Sequence, residues 1–298
     1  MYSEQMMLAR TTSLLAVLVL ATTAPAASPI PVMLLDGESA GTYHAWKQTT
    51  PVLKQELEET GLFQVTVVTA PPSNGDMSGF HPEFAKFKVV VLNYDAPDWP
   101  AALKESFEDY VKNGGGVVVV HAADNAFPGW KAFNEMTGVG GWRNRNVSSG
   151  PHWFVEDGKL VSDAMPPQSG SHGQRLPFAV TAREPEHPIL KGLPKVWMHE
   201  GDELYAALRG PGTNMSVIAT AHSDPANNGT GREEPILMVL RYGKGRIFHT
   251  TLGHDVPAIR CVGFITTLQR GTEWAATGEV TQKVPADFPT ATTVSTRP

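Results

Sequence analysis

Two patterns of apolar and polar positions recur along the chain. Short unbroken apolar runs, of which Val117–Val120 is the clearest, are typical of strands that are covered on both faces of a sheet. Longer segments carry apolar residues every three or four positions, as Leu103, Phe107 and Val111 do, which is typical of helices with one buried face. The strand pattern and the helix pattern alternate along the first half of the chain, so the sequence predicts an α/β protein.

The order of these elements predicts a mostly parallel, doubly wound sheet, because strand–helix–strand order with helices of about ten residues is typical of βαβ units. Residues 146–180 show no regular pattern. They predict an irregular insertion with solvated histidines, of a length that often covers a site. The last two strands form a hairpin through Tyr242–Gly245, where glycines permit a tight turn. The predicted strands are 31–35, 63–68, 89–92, 117–120, 217–220, 236–241 and 246–250, and the main predicted helices are 52–59, 101–111, 130–136 and 263–276.

Polar side chains follow several of the predicted parallel strands. In open α/β sheets, ligands bind outside the carboxyl ends of the strands. A side chain at the end of a strand is therefore held at the ligand site by a rigid element. His121 is the central example, since it ends the valine strand and is followed by two small alanines. The sequence therefore predicts one rim lined by Asp36, His44, Asn93, Asp95, His121, Asp124, His254 and Asp255.

Three histidines of this rim, His44, His121 and His254, are candidate metal ligands. Neutral imidazoles bind divalent zinc, manganese or iron. The same residues could instead act as general acid and base on a polar substrate. No local motif such as HExxH decides between these alternatives, and His44 could also simply bridge loop segments.

Other residues are candidates for carbohydrate contacts. Glu203 and Glu200 belong to an acidic run flanked by apolar residues, so one carboxylate is expected to face inward, where it could orient a histidine or bind sugar hydroxyls. Trp130, Trp142 and Trp153 could stack on a sugar ring, although tryptophans more often serve packing. Arg143 lies in a glycine-rich turn, 138–145, that lacks the frame of a dinucleotide-binding motif, so no nucleotide cofactor is expected.

Composition and the N-terminal sequence limit the partners, the covalent cross-links and the location that we expect for the protein. The net charge is −6 and no basic cluster is present, which argues against nucleic-acid binding. The single cysteine, Cys261, excludes an intramolecular disulfide and a CxxC zinc site, and we interpret it as a packing residue. The short apolar run Leu14–Leu20, followed by small residues, predicts a signal peptide over 1–26, hence a secreted or periplasmic protein without a transmembrane span. One domain is predicted over 27–280, followed by a loose polar tail over 281–298.

The chain resembles the trehalose-utilisation, or ThuA-like, family from about Val32 to Ala276. The resemblance is carried by the loop with His44 and by four motifs: GGGVVVVHAAD at 114–124, HPILKGLP at 187–194, DELY at 202–205 and YGKGRIFHTTLGHD at 242–255. It implies a flavodoxin-like three-layer sandwich related to class I glutamine amidotransferases. In those enzymes a cysteine occupies the sharp turn after the central strand, whereas this chain has His121 there, so cysteine acyl transfer is not expected.

The family resemblance also implies a function in carbohydrate metabolism, on sugars whose 3-hydroxyl has been oxidised to a ketone. The expected activity is that of a metal-assisted lyase, hydrolase or isomerase acting on 3-keto-glycosides or related sugars. The alternatives are a non-catalytic sugar-binding module and an interaction scaffold. The expected catalytic groups are His121, His254, Asp124 and Glu203; the expected substrate contacts are Asp36, His44, Asn93, Asp95, Trp130, Arg143 and Glu200; the expected metal ligands are His44, His121 and His254.

Overall fold

One mixed sheet of eleven strands organises the protein, which is described by a computed structural model over residues 1, 28–96 and 98–298. The predicted signal peptide, apart from Met1, lies outside the described residues. Among the residues that are described, no helix is both long and apolar enough to cross a membrane.

Five parallel strands form the core of the sheet, in the order β2-β1-β3-β4-β11. β2, β3 and β4 are rich in β-branched residues, and β3 and β4 are buried throughout, as the unbroken apolar runs predict. Their carboxyl ends meet at one edge, which carries the polar rim. These strands are β1 (Ile30–Asp36), β2 (Phe63–Thr69), β3 (Val89–Leu92), β4 (Gly116–Val120) and β11 (Gly245–Thr250).

The sheet continues beyond β11 with antiparallel strands. The hairpin predicted at Tyr242–Gly245 is confirmed: it joins β10 to β11, and Gly243 has a φ of 57°. The order then runs β10-β9-β7-β8, while β5 pairs with both β10 and β6. These strands are β5 (His152–Glu156), β6 (Lys159–Asp163), β7 (Leu176–Ala182), β8 (Val196–Asp202), β9 (Ser216–His222) and β10 (Glu233–Tyr242).

Helices pack against the two faces of the sheet through separate apolar clusters. In β1, Val32 and Leu34 belong to the cluster that contains side chains of α1 and α5. Met33 and Leu35 point to the other face and belong to the cluster that contains side chains of α2 and α3. A mixed α/β sheet with a mostly parallel core is therefore confirmed, and the complete three-layer sandwich stays a prediction. The helices are α1 (Trp46–Glu58), α2 (Ala101–Lys112), α3 (Lys131–Thr137), α4 (Val256–Ile259) and α5 (Val262–Thr277).

Two sequence-based expectations about irregular segments are wrong. Residues 146–180 contain β5, β6 and the start of β7, and His152 is not solvated but fully buried, with Nε2 3.0 Å from Glu234 Oε2. The C-terminal tail is polar but not loose. Met198 N donates to Thr290 O over 2.8 Å and Val262 N donates to Ser295 O over 2.8 Å, so backbone hydrogen bonds tie the tail to β8 and α5.

Candidate metal centre

Four side chains converge at the carboxyl edge of the sheet: His44, His121, Glu203 and His254. One potential ligand atom from each lies within 4.8 Å of the others. His121 follows β4, Glu203 follows β8, His254 follows β11, and His44 lies in the loop between β1 and α1. The fold thus brings together the three histidines expected at the rim, together with a carboxylate.

His121 is held in one orientation at the sharp turn after β4. Its φ of 47° is unusual for a residue with a side chain, and such strain is often found at functional sites. Nδ1 lies 2.7 Å from the carbonyl oxygen of Thr251. Because a carbonyl only accepts, Nδ1 carries the proton, and in the neutral ring the lone pair is on Nε2. This Nε2 is buried and has no hydrogen-bond partner among the described residues.

Glu203 lies between the histidines. Its Oε2 is 3.5 Å from His121 Nε2 and 3.1 Å from His254 Nδ1, although neither contact has hydrogen-bond geometry. Burial alone would raise the pKa of Glu203, but the two imidazoles outweigh burial and hold that pKa well below its usual range. Burial alone would lower the pKa of His121, but the carboxylates of Glu203 and Asp202 stabilise its protonated form. The net result is that the pKa of His121 is raised. Glu203 is therefore a carboxylate ready to bind a cation.

His44 completes the cluster as a neutral imidazole. Burial, and then the neighbouring His121 and His254, lower its pKa to about 3. Its ring lies edge-on to both histidines, with centroids 5.1 Å and 5.0 Å away, and its Nε2 is 3.4 Å from the hydroxyl of Tyr205. Neutral imidazole is the form of histidine that coordinates metals.

A cavity of about 640 Å³ opens above the cluster and reaches it through His44 and Glu203. Its size is within the usual range for small-molecule sites. Tyr43 is 79% exposed beside it, and Trp142 provides a second aromatic wall. The lining residues are Glu38, Ala40, Gly41, Tyr43, His44, Ser73, Asp95, Asn125, Trp142, Arg143, His172, Glu203 and Tyr205.

Arg143 and Asp95 form an ion pair in the cavity wall. Arg143 Nε donates to Asp95 Oδ1 over 2.6 Å. Burial raises the pKa of Asp95 to about 6, although Arg143 opposes the shift. Arg143 lies between Trp142 and Asn144 in a run of three residues with φ of 49°, 43° and 64°. A run of left-handed residues with side chains is strained, and such strain is typical of binding sites.

Two predicted substrate contacts, Asp36 and Asn93, lie at the correct edge but do not line the cavity. Asn93 Nδ2 donates to the hydroxyls of Thr49 and Thr50 in α1, over 3.0 Å each. Asp36 is buried, and burial raises its pKa against the opposing hydrogen bonds of Thr69 and Thr50. The structure gives both residues the role of anchoring α1 to the ends of the strands.

Three further predicted site residues are also placed elsewhere. Asp124 is fully buried, with Oδ2 3.3 Å from His249 Nε2, because the chain after β4 turns inward as a short 3₁₀ helix, His121–Asn125. Trp130 packs in the apolar core against Phe127 and Phe133 and does not line the cavity. Glu200 Oε1 accepts from its neighbour's backbone N–H, and the residue does not line the cavity.

Several cavity residues were not singled out as site residues by the sequence. His172 was expected to be a solvated loop residue, yet its Nε2 is 3.6 Å from Glu203 Oε1. Tyr205 flanks the acidic run and is not among the predicted site residues, although its ring stacks on His121 and its hydroxyl approaches His44. Tyr205 is part of the DELY motif that carries the family resemblance, so that motif was an available signal. For His172, Asn125 and Glu38 we find no sequence signal.

Comparison with known proteins places the chain in a family. The ThuA family, described as "Trehalose utilisation", matches residues 32–275. A ThuA-like protein from Parabacteroides merdae is similar in structure, with a TM-score of 0.87 and 48% identity over 90% of this chain and 98% of that one. A second ThuA-like protein, from Bacteroides uniformis, shares the fold with a TM-score of 0.58 and 18% identity over 87% and 96% of the two chains. No curated protein matches the chain. The extent of the family match and the near-complete overlap with the Parabacteroides protein show that the chain belongs to the ThuA family.

Proposed function

We propose that the protein is a metal-dependent enzyme that acts on a carbohydrate derivative, with 3-keto-glycosides as the substrate class. The observation that carries the proposal is the convergence of His44, His121, Glu203 and His254 below a cavity of small-molecule size. The family description, trehalose utilisation, supports a carbohydrate as the partner.

The donor set fits a divalent cation such as zinc, manganese or iron. His121 Nε2, His44 Nδ1 and His254 Nδ1 are buried nitrogen atoms without a hydrogen-bond partner in the described part of the chain. Such orphaned polar atoms are costly unless a ligand satisfies them. Three imidazoles and one carboxylate are ligands that these cations accept. When bound, the cation would supply Lewis acidity toward a carbonyl or hydroxyl oxygen.

The cavity wall supplies the groups that would bind and orient a sugar. The Asp95 carboxylate accepts hydrogen bonds from hydroxyl groups, and the Arg143 guanidinium donates them. Trp142 and Tyr43 offer aromatic faces on which a sugar ring can stack.

The proposed reaction is an elimination. A ketone at C3 acidifies the C–H bond at C2, so a base can take that proton. The electron pair then forms the C1–C2 double bond as the C1–O bond breaks, and the departing oxygen takes up a proton. Asp95, Glu38 and His172 are the carboxylate and imidazole side chains that line the cavity outside the cluster, and we assign the proton transfers to this set.

We also propose that the protein acts after export from the cytoplasm. The support for this is the signal-like run Leu14–Leu20, which is followed by small residues.

The test is an assay with a 3-keto-glycoside and its unoxidised parent. Protein stripped with a chelator and protein reloaded with zinc, manganese or iron are each incubated with both sugars, and products are followed by NMR. We expect release of the aglycone only from the keto sugar and only after reloading. Binding without turnover under every metal would assign the protein to the non-catalytic sugar-binding class, and neither binding nor turnover would remove carbohydrate as the partner.

A further inference from the structure

Beneath the cluster, one buried carboxylate contacts the backbone of two candidate ligands. Asp202 is 1% exposed and accepts four hydrogen bonds. Its Oδ1 accepts from the backbone N–H of Glu203 over 2.8 Å and from that of His254 over 3.1 Å. Its Oδ2 accepts from the backbone N–H of Gly253 over 2.7 Å and lies 3.0 Å from His199 Nε2.

His199 in turn holds this carboxylate in place. Its ring is fully buried in β8, stacks near Phe178, and lies beside the thiol of Cys261 at the start of α5. Burial opposes protonation of His199, yet Asp202 and Cys261 outweigh burial and raise the pKa of His199 to about 10. The same pairing keeps the pKa of Asp202 below its ordinary value against the effect of burial. The two side chains therefore form an ion pair inside the protein.

The two segments that Asp202 joins are otherwise far apart in the sequence. Glu203 follows β8 at one end of the sheet order, whereas His254 follows β11 in the parallel core. The turn that carries His254 requires glycine at position 253, because φ there is 115° and a Cβ would lie 3.0 Å from the Phe264 ring. The backbone N–H groups of Gly253 and His254 both donate to Asp202, so this carboxylate joins the turn to the end of β8.

We infer that Asp202 is the positioning residue of the metal centre: its carboxylate fixes the relative placement of Glu203 and His254 through their backbone amides, and so sets metal affinity. This inference rests on the proposed function, because it assumes that the cluster binds a metal. Ligands must be held to within about half an ångström of productive geometry, and outer-shell partners typically contribute 10- to 100-fold to metal affinity.

The test compares Asp202→Asn with a matched control. An amide at position 202 keeps one accepting oxygen and replaces the other by a donor, so about half of the four hydrogen bonds are lost. The control is Glu273→Gln in α5. Glu273 is also buried at 4% exposure and also accepts several hydrogen bonds, but from Thr281 and Gln282 of the C-terminal tail.

Zn²⁺ affinity is measured by competition with a chelator, and the coordination geometry by the visible spectrum of the Co²⁺-loaded protein. We expect Asp202→Asn to weaken Zn²⁺ binding at least tenfold and to alter the Co²⁺ spectrum. We expect Glu273→Gln to lower the melting temperature while both metal readouts stay as in the wild type. A folded Asp202→Asn protein with wild-type Zn²⁺ affinity and Co²⁺ spectrum would overturn the inference.

If Asp202→Asn does not fold, His199→Gln provides the test, because it keeps the carboxylate and removes only the ring that orients it. Weaker Zn²⁺ binding by folded His199→Gln supports the inference, and unchanged binding overturns it. A wild-type protein that binds neither Zn²⁺ nor Co²⁺ would contradict the metal centre itself. This result differs from failure of the positioning role of Asp202, in which the wild type binds metal and the variant binds it equally well.

Discussion

The imidazole of His121 is stacked on the phenol ring of Tyr205, with the two ring centroids 4.1 Å apart and the planes inclined by 29°. Together with the hydrogen bond from Nδ1 to the carbonyl oxygen of Thr251, this contact holds the ring in one orientation. The side chain presents Nε2 to Glu203 before any ligand arrives. A ligand atom that is already in place loses little entropy on binding, which favours affinity.

Replacing His121 is therefore expected to remove the metal. In His121→Gln, a flexible amide replaces the fixed imidazole, and we expect the metal content of the purified protein to fall from about one ion per chain to near zero. Elemental analysis measures this. His152→Gln is the control, since His152 is equally buried but is paired with Glu234 away from the cluster. Equal metal content in the wild type and His121→Gln would contradict the assignment of His121 as a ligand.

Arg143→Gln should separate sugar binding from metal binding. The Arg143 guanidinium lines the cavity and contacts Asp95, but it is not one of the four cluster residues. We expect about a tenfold increase in KM for the keto sugar, which corresponds to the loss of a charged hydrogen bond of about 1.4 kcal/mol, with metal content unchanged. Arg183→Gln, which removes a partly exposed ion pair with Glu233, should change neither quantity. A loss of metal in Arg143→Gln would show that the ion pair supports the cluster instead.

The two tryptophans near the rim should behave differently. Trp130 is 7% exposed and packs among aromatic side chains, so Trp130→Ala is expected to lower the free energy of unfolding by about 3–5 kcal/mol. Sugar binding by the folded fraction should remain as in the wild type. Trp142→Ala removes a cavity wall and should weaken sugar binding several-fold. Denaturant unfolding measures the loss of stability, and isothermal titration measures sugar binding. Weaker sugar binding in Trp130→Ala, with unchanged binding in Trp142→Ala, would identify Trp130 as the stacking residue.

Glu56 in α1 predicts an unusual pH dependence of stability. Both of its carboxylate oxygens are buried without a hydrogen-bond partner in the described residues, and burial raises its pKa from 4.5 to about 9. Between these two values the folded chain keeps a proton that the unfolded chain releases. The contribution of this group to stability is therefore fully present below pH 4.5 and is lost as the pH rises toward 9.

Glu56→Gln removes the ionisable group and keeps its shape. We expect this variant to be more stable than the wild type by about 1–3 kcal/mol at pH 8, and nearly equal to it at pH 4.5. Urea unfolding at the two pH values tests the difference. Glu83→Gln, at an exposed position, should show no such dependence. A stability difference that is the same at both pH values would refute the explanation.

The sequence predicts the rim well where strands deliver the residues. His121 follows the valine run, and His254 follows the last strand, so both positions result from the rule that parallel strands end at one edge. The same rule does not predict where residues that follow the antiparallel strands lie. Glu203 and Tyr205 follow β8, which is four strands beyond β11 in the sheet order. Pairing between strands that are distant in the sequence has no local signal.

Other misplacements arise from single turns of the chain. Asp124 lies three residues after His121 in the same short 3₁₀ helix, yet its carboxylate is fully buried against His249 and does not line the cavity. His172 reaches Glu203 because Ser171 is paired with Ala206 by two backbone hydrogen bonds, each 2.9 Å long. Both outcomes depend on backbone angles and long-range pairing, which the residue pattern does not encode.

The four residues of the cluster arrive from four separated segments of the polypeptide, each positioned by a different strand or loop. A chain that is still unfolded therefore has no preformed site, and metal capture has to follow folding. The ion that is installed then depends on which ions are abundant where folding is completed, because intrinsic ligand affinity alone discriminates poorly among divalent metals. Under the export that we propose for this chain, the compartment in which it folds would select the metal.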